Sequence, residues 1–177
     1  SKVDEVVKRL EDAVREIKKE IDKHSKELAD EVEKIKKELK DVSDRNREVV
    51  RRIREANLSE KDVTETVKEA EKRNRDIEKR IREELKRLED NVRDMHRKLD
   101  KKLKELKRTV EEMRRSVDEK KAEELRKRVD DLLEEIRRLL EENKRTVDKL
   151  LDEIKRVLED HRRSVEELLR EIDKDAK

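Results

Sequence analysis

The chain has 177 residues, 60% of them charged, and it contains no glycine, proline, cysteine, phenylalanine, tyrosine or tryptophan. Lysine and arginine total 54 and aspartate and glutamate total 52, which leaves a formal net charge of +2 at pH 7. Disulfides and thiolate metal sites are excluded without cysteine, and because no apolar run is long enough to span a bilayer we expect no membrane association.

The first predicted element is a helix that begins near residue 2. From Val3 to Ile17, apolar residues recur three and four positions apart, as on one face of an α-helix. At about 100° per residue this stripe covers about 120° of the circumference, a width suited to the core of a helical bundle. The periodicity continues along the chain, which argues against the disorder that the high charge would otherwise suggest.

The apolar stripe repeats every 18 residues. Blocks begin at Val3, Ile21, Leu39, Val63, Ile81, Leu99, Val129, Val147 and Val165. Eighteen residues make five whole turns of about 3.6 residues, so the apolar face returns to its starting angle. A seven-residue repeat would instead drift by about 20° per repeat and impose a left-handed supercoil. The repeat therefore predicts straight helices with almost no supertwist.

Two short breaks, which match each other, separate three groups of blocks. Ser59 and Asp118 are placed to serve as N-caps, because their side-chain oxygens can accept a bond from an otherwise unpaired backbone N–H. Leu58 and Val117, which precede them, are placed to pack as hydrophobic staples against the following helical turn.

The predicted helices therefore span about residues 2–56, 60–115 and 119–175. Short connections make sequential helices antiparallel neighbours. We predict an all-α fold, an up-down-up antiparallel three-helix bundle of long, nearly untwisted helices, forming a single domain over residues 1–177.

Polar side chains interrupt the stripe, and we predict that they form two hydrogen-bonded layers across the core. Folding the chain at its two breaks places His24, Ser25, Asn91 and Asn143 in one layer, and Ser43, Asn46, Asn74 and His161 in the other. A buried amide or imidazole without a partner costs about 1–3 kcal/mol. A helix that slipped by one repeat would lose these partners, so the predicted networks specify register and oligomeric state.

The 18-residue blocks, the missing glycine, proline and aromatic residues, and the polar layers resemble those of de novo designed, parametrically built straight helical bundles with buried hydrogen-bond networks. The resemblance covers the whole chain. It implies a structural scaffold with no natural biochemical function. Members of this class also serve as heterodimer halves, as pH-responsive assemblies or as cages that hold a displaceable helix.

We expect no enzyme activity and no catalytic, cofactor-binding or metal-binding residue. The three histidines fall on different predicted helices and lack a second histidine four positions away. A bundle without long loops offers no pocket for an oxyanion hole, and no isolated basic block or aromatic residue supports nucleic-acid binding. If His24 and His161 are buried in the neutral form, acid would destabilise the fold.

One asymmetry leaves the question of partners open. The stripes of helices 1 and 3 carry an apolar flank that includes Val42 and Leu150, whereas the corresponding positions of helix 2 include Arg73 and Lys102. Either helix 2 has a polar rim, or the wider stripes leave a groove for a fourth amphipathic helix. We expect a monomer that requires no partner. The alternatives are a helix-binding module and a homo-oligomer formed by exchange of helices.

Overall fold

The structure, a computed structural model, describes residues 2–56 and 60–175. It contains three helices in these ranges and no strand: α1 (Lys2–Glu55), α2 (Glu60–Arg115) and α3 (Glu119–Asp175). The predicted all-α three-helix fold is confirmed, and each described helix end lies within one residue of its predicted position.

The N-cap predicted for α3 is confirmed. The backbone N–H of Lys120 donates to Oδ1 of Asp118 at 3.1 Å, which pairs one of the N–H groups that the first turn of a helix leaves free. The cap predicted at Ser59 and its neighbour Leu58 lie outside the described residues.

The staple predicted at Val117 is wrong, because this side chain is 100% exposed. The loop over residues 116–118 is closed by polar contacts instead. The hydroxyl of Ser116 donates to the carbonyl of Asp118 at 3.1 Å, and the backbone of this short loop leaves Val117 outside the apolar packing.

The chain divides into two compact units, each containing a segment of every helix. Unit 1 comprises residues 1–28 and 89–148, and unit 2 comprises residues 29–88 and 149–177. These boundaries fall inside 18-residue blocks rather than between them. The repeat therefore did not indicate where one unit ends.

Unit 1 has one core cluster, to which all three helices contribute. Its buried members are Val7, Val14, Ile17, Leu99, Leu103, Leu106, Val110, Met113, Leu125, Val129, Leu132, Leu133 and Ile136. These residues occupy the predicted stripes, so burial of this apolar surface is the main favourable contribution to folding of the unit.

Contacts between α1 and α2 in unit 1 show that these helices are antiparallel. Near the start of α1, Glu11 pairs with Arg114 of α2 at 3.2 Å. Further along α1, Ser25 contacts His96, which is earlier in α2, at 2.9 Å.

Contacts between α2 and α3 in unit 1 show that these two helices are also antiparallel. In unit 1, Lys102 pairs with Glu135 at 2.6 Å, and Glu105, which is later in α2, pairs with Arg128, which is earlier in α3, at 2.9 Å. The up-down-up order follows from these contacts.

In unit 2, α1 and α3 run parallel and are joined by three ion pairs, which we call the charge ladder. The pairs are Glu31–Lys155 at 3.2 Å, Glu38–Arg162 at 3.7 Å, and Arg45–Glu166. The α1 members are seven residues apart, and the order of charges reverses at the third pair. The hydrogen bond from Arg45 lowers the pKa of Glu166.

The contacts in unit 2 define the handedness of the three-helix arrangement, that is, on which side of α1 the helices α2 and α3 lie. The sequence alone did not determine this handedness. Arg54 of α1 pairs with Glu71 of α2 at 3.3 Å, and its angular position is on the opposite side of the buried stripe from the charge ladder. Residues of a right-handed helix advance clockwise by about 100° when viewed from the amino end. Seen from that end of α1 with its buried stripe upward, α2 is therefore on the right and α3 on the left in unit 2.

The core of unit 1 can be tested at Leu106, whose side chain is 0% exposed. We expect Leu106→Ala to lower the free energy of unfolding by about 2–5 kcal/mol, because it removes apolar contacts and leaves a cavity. Guanidinium titration followed by circular dichroism measures this change. The control Val117→Ala, at the exposed loop position, is expected to change it by less than about 0.5 kcal/mol. Equal losses in both variants would contradict the assignment of the core.

Candidate functional site

Polar side chains at interior positions form the candidate site, and unit 2 holds the most deeply buried ones. Asn46 of α1 and Asn74 of α2 are each 7% exposed, and His161 of α3 is 2% exposed. Ser43, one turn before Asn46, is half-buried. The residues of this predicted layer therefore lie in the interior of unit 2, contributed by all three helices.

The hydrogen bonds predicted for this layer are not formed among the described residues. Oδ1 of Asn46 and both ring nitrogens of His161 are buried without a hydrogen-bond partner. The periodicity of the sequence therefore predicted correctly that these groups are buried. It did not predict correctly that they are hydrogen-bonded to one another. Such unpaired groups are costly in a medium of low polarity.

Burial lowers the pKa of His161 from its ordinary value of 6.5, because desolvation disfavours the charged imidazolium. The carboxylate of Glu78 acts in the opposite direction, but its effect is the smaller of the two. Glu78 lies one helical turn from Asn74 on α2. The interior of unit 2 therefore favours a neutral ring at His161.

In unit 1 the predicted position of His24 is wrong. Its side chain is 43% exposed, and its ring nitrogens lie 3.8 Å from the carboxylates of both Glu20 and Glu27. These carboxylates are one turn before and one turn after His24. They offer polar partners at the surface, so the imidazole is not a member of the core.

Ser25 is half-buried and makes the one hydrogen bond between helices that involves a predicted layer residue in the described ranges. Its hydroxyl donates to the carbonyl of Ile21 at 2.9 Å, and its Oγ lies 2.9 Å from Nε2 of His96. A hydroxyl has a single proton. Because that proton is given to Ile21, Nε2 of His96 must be the donor to Oγ of Ser25.

His96 was not among the predicted layer residues, because its angular position lies at the edge of the α2 stripe. The sequence nevertheless contained a signal that His96 lies near Ser25. The heights obtained by folding the chain at its first break bring α2 residues near position 91 beside Ser25, and His96 is only a little more than one turn away.

Asn91 and Asn143, the other members predicted for this layer, are both half-buried. Oδ1 of Asn143 is buried without a hydrogen-bond partner. The structure thus brings Ser25 to His96 rather than to either asparagine.

The pH dependence of stability tests the burial of His161. Because its pKa is lowered in the folded state, the unfolded chain binds the proton more readily. The contribution of the neutral His161 ring to the free energy of unfolding is therefore fully present above pH 6.5. It is lost as the pH decreases from there toward the lowered pKa, by at most about 1.4 kcal/mol per pH unit.

We expect His161→Leu to abolish this part of the pH dependence in guanidinium titrations between about pH 7.5 and 5.5, the range around an ordinary imidazole pKa. The control His24→Leu should retain it, since His24 lies at the surface. An unchanged slope in His161→Leu would show that the buried imidazole is not responsible.

The hydrogen bond between Ser25 and His96 can be tested by nitrogen-15 NMR of the imidazole. We expect the neutral His96 ring to carry its proton on Nε2, and Ser25→Ala to remove that preference and cost about 0.5–1.5 kcal/mol of stability. A ring of His96 protonated on Nδ1 in the unsubstituted chain would contradict the assigned donor.

In the ranges 2–56 and 60–175, no group of three or more histidine, cysteine, aspartate or glutamate residues could hold a metal ion. No helix in the same ranges is both long and apolar enough to cross a membrane. No protein-family model matches the chain, and neither a curated protein nor a solved structure shows significant similarity to it.

Proposed function

We propose that this chain is a designed structural scaffold: a monomeric three-helix bundle without enzymatic activity, which needs no cofactor and no partner. Aliphatic packing stabilises it. The polar interior positions, including Asn46, Asn74 and His161, restrict its register at some cost in stability.

One observation carries this proposal. Among the side chains that the structure describes, Val117 in the loop before α3 is the only large hydrophobic residue that is exposed. A helix-binding module would be expected to present a contiguous apolar patch on its surface. The valine, leucine, isoleucine and methionine side chains described in α1, α2 and α3 are instead buried or half-buried within the chain itself.

The charged surface supports the same function. Many of its ion pairs join residues three or four positions apart on one helix, such as Arg51–Glu55 at 3.5 Å and Arg138–Glu134 at 3.2 Å. Each such pair stabilises a helix by only a few tenths of a kcal/mol. They favour long helices and high solubility rather than recognition of one ligand.

A helix-binding module is the second candidate, and one feature of unit 1 favours it. Several apolar side chains there are only half-buried, among them Ile21, Leu28, Val92, Leu140 and Val147. A fourth amphipathic helix that covered such residues would complete their burial. In that case the chain would be half of a heterodimer or a cage for a displaceable helix.

Sedimentation separates the two candidates. We expect a single species of 21.6 kDa that does not enhance the fluorescence of a dye specific for apolar surfaces, because the side chains that the structure describes form no exposed apolar patch. Concentration-dependent association, or strong dye binding that Leu140→Gln reduces and the loop substitution Val117→Gln leaves intact, would favour the helix-binding module.

A further inference from the structure

The solvent-facing side of α2 in unit 1 has an unbroken row of basic side chains, which we call the basic stripe. Its members are exposed and are four, three and four positions apart: Arg97, Lys101, Lys104 and Arg108. At about 100° per residue, these positions fall within an arc of about 60°. Leu99 and Leu106, which are 2% and 0% exposed, mark the opposite side of the helix. The four side chains therefore extend into solvent from one face.

The equivalent positions one repeat earlier have alternating charge. They are Lys79, Glu83, Lys86 and Asp90, and all are exposed. Residues 97–108 include seven basic and two acidic side chains, whereas residues 79–90 include five basic and four acidic ones. The chain as a whole has a net charge of only +2. Because Asp100 and Glu105 interrupt the basic residues in the sequence, the row becomes apparent only on the surface of the helix.

The acidic side chains near the basic stripe do not neutralise it. Glu105 accepts a hydrogen bond from Arg128 of α3 at 2.9 Å. Asp100 lies about 100° around the helix from Lys101. Among residues 2–56 and 60–175, no carboxylate forms an ion pair or a hydrogen bond with a member of the stripe. The donors of the stripe are therefore available to a partner in solution.

A row of unpaired cations suits a partner with closely spaced anions. Eleven positions separate Arg97 from Arg108, which is about 16 Å at about 1.5 Å per residue. One strand of a nucleic-acid duplex has a phosphate about every 3.4 Å along its axis, so about five phosphates cover the same length. Cations that neutralise these phosphates release the counterions condensed on them. This release favours binding without any contact to the bases.

Two other polyanions match the basic stripe less well. Proteins hold single-stranded nucleic acid largely by stacking its bases on aromatic side chains, and this chain has none. Helices that bind anionic membranes insert an apolar face into the interface. The apolar face of α2 in unit 1, including Leu103 at 8% exposure, is instead packed in the core. A duplex requires neither feature.

We propose that the basic stripe binds the sugar–phosphate backbone of double-stranded nucleic acid without sequence preference. The guanidinium groups of Arg97 and Arg108 and the ammonium groups of Lys101 and Lys104 donate hydrogen bonds to phosphate oxygens. No side chain of the stripe is placed to read a base, because all four belong to one straight row along the backbone contact. This binding goes beyond the scaffold function and does not depend on it.

The test measures binding of the full chain to a fluorescently labelled duplex by anisotropy, over a range of sodium chloride concentrations. We expect the logarithm of the association constant to fall with the logarithm of salt concentration at a slope of about −3 to −4, because about four phosphates are neutralised. Duplexes of different sequence should bind equally. Lys101→Gln combined with Arg108→Gln should weaken binding about tenfold or more at low salt and reduce the slope by about two.

The repeat offers a matched control and a gain-of-function variant. Lys79→Gln combined with Lys86→Gln removes the same charge from the equivalent row of α2 and should leave the slope unchanged. Glu83→Lys combined with Asp90→Arg copies residues 101 and 108 into the preceding repeat. This variant should strengthen binding and steepen the slope by about two. All three double variants should retain the helical circular dichroism spectrum, since the substituted positions are exposed.

Four results would overturn the proposal. They are no binding to the duplex at low salt, an equal loss of affinity in the two glutamine variants, a clear preference for one duplex sequence, and stronger binding to vesicles containing phosphatidylserine than to the duplex. The last result would assign the stripe to an anionic membrane. None of them bears on the oligomeric state, so a failure here is distinguishable from a failure of the scaffold function.

Discussion

Burial of one aliphatic stripe on each helix is the constraint on which the rest of the structure depends. Isolated helices gain little from propensity alone, and most of their stability in proteins comes from packing of an amphipathic face. This chain has no disulfide or aromatic residue to add to that packing. Burial of side chains such as Ile81 in unit 2 and Ile136 in unit 1, both 0% exposed, therefore provides most of the favourable free energy of folding. Each of the three helices that it stabilises is more than 50 residues long.

The polar side chains at interior positions have different hydrogen-bonding environments in the two units. In unit 1 most such groups reach a partner or solvent: Ser25 bonds to His96, Thr109 donates to the carbonyl of Glu105 at 2.8 Å, and Asn91 is half-buried. The exception is Oδ1 of Asn143, which is buried without a partner. In unit 2, His161 is enclosed without a hydrogen bond to its ring. Unpaired polar groups in a dry interior lower stability, so the polar positions of unit 2 cost more than those of unit 1.

Much of the fold could be predicted because its determinants are local. The 3.6-residue periodicity located the stripes, and the side chain of Asp118 marked the start of α3. Burial of Asn46, Asn74 and His161 followed from their central positions on the stripe. His24 has the same repeat position as Val42, which is 2% exposed, but its imidazole lies beside surface carboxylates instead, so periodicity misplaced it. His96 lies at the edge of the α2 stripe, so periodicity missed it. Hydrogen-bond geometry, the hand of unit 2 and the unit boundaries depend on contacts between helices, which a uniform repeat does not encode.

The reversed third pair of the charge ladder has a consequence for misregistered packing in unit 2. Sliding one helix past another by seven residues turns its apolar face by only about 20°, so aliphatic contacts alone oppose such an error weakly. A shift in one direction would place Arg45 beside Arg162, and a shift in the other would place Glu38 beside Glu166. Juxtaposed like charges repel. A ladder with all acids on α1 and all bases on α3 would tolerate both errors, whereas the observed order opposes displacement in either direction.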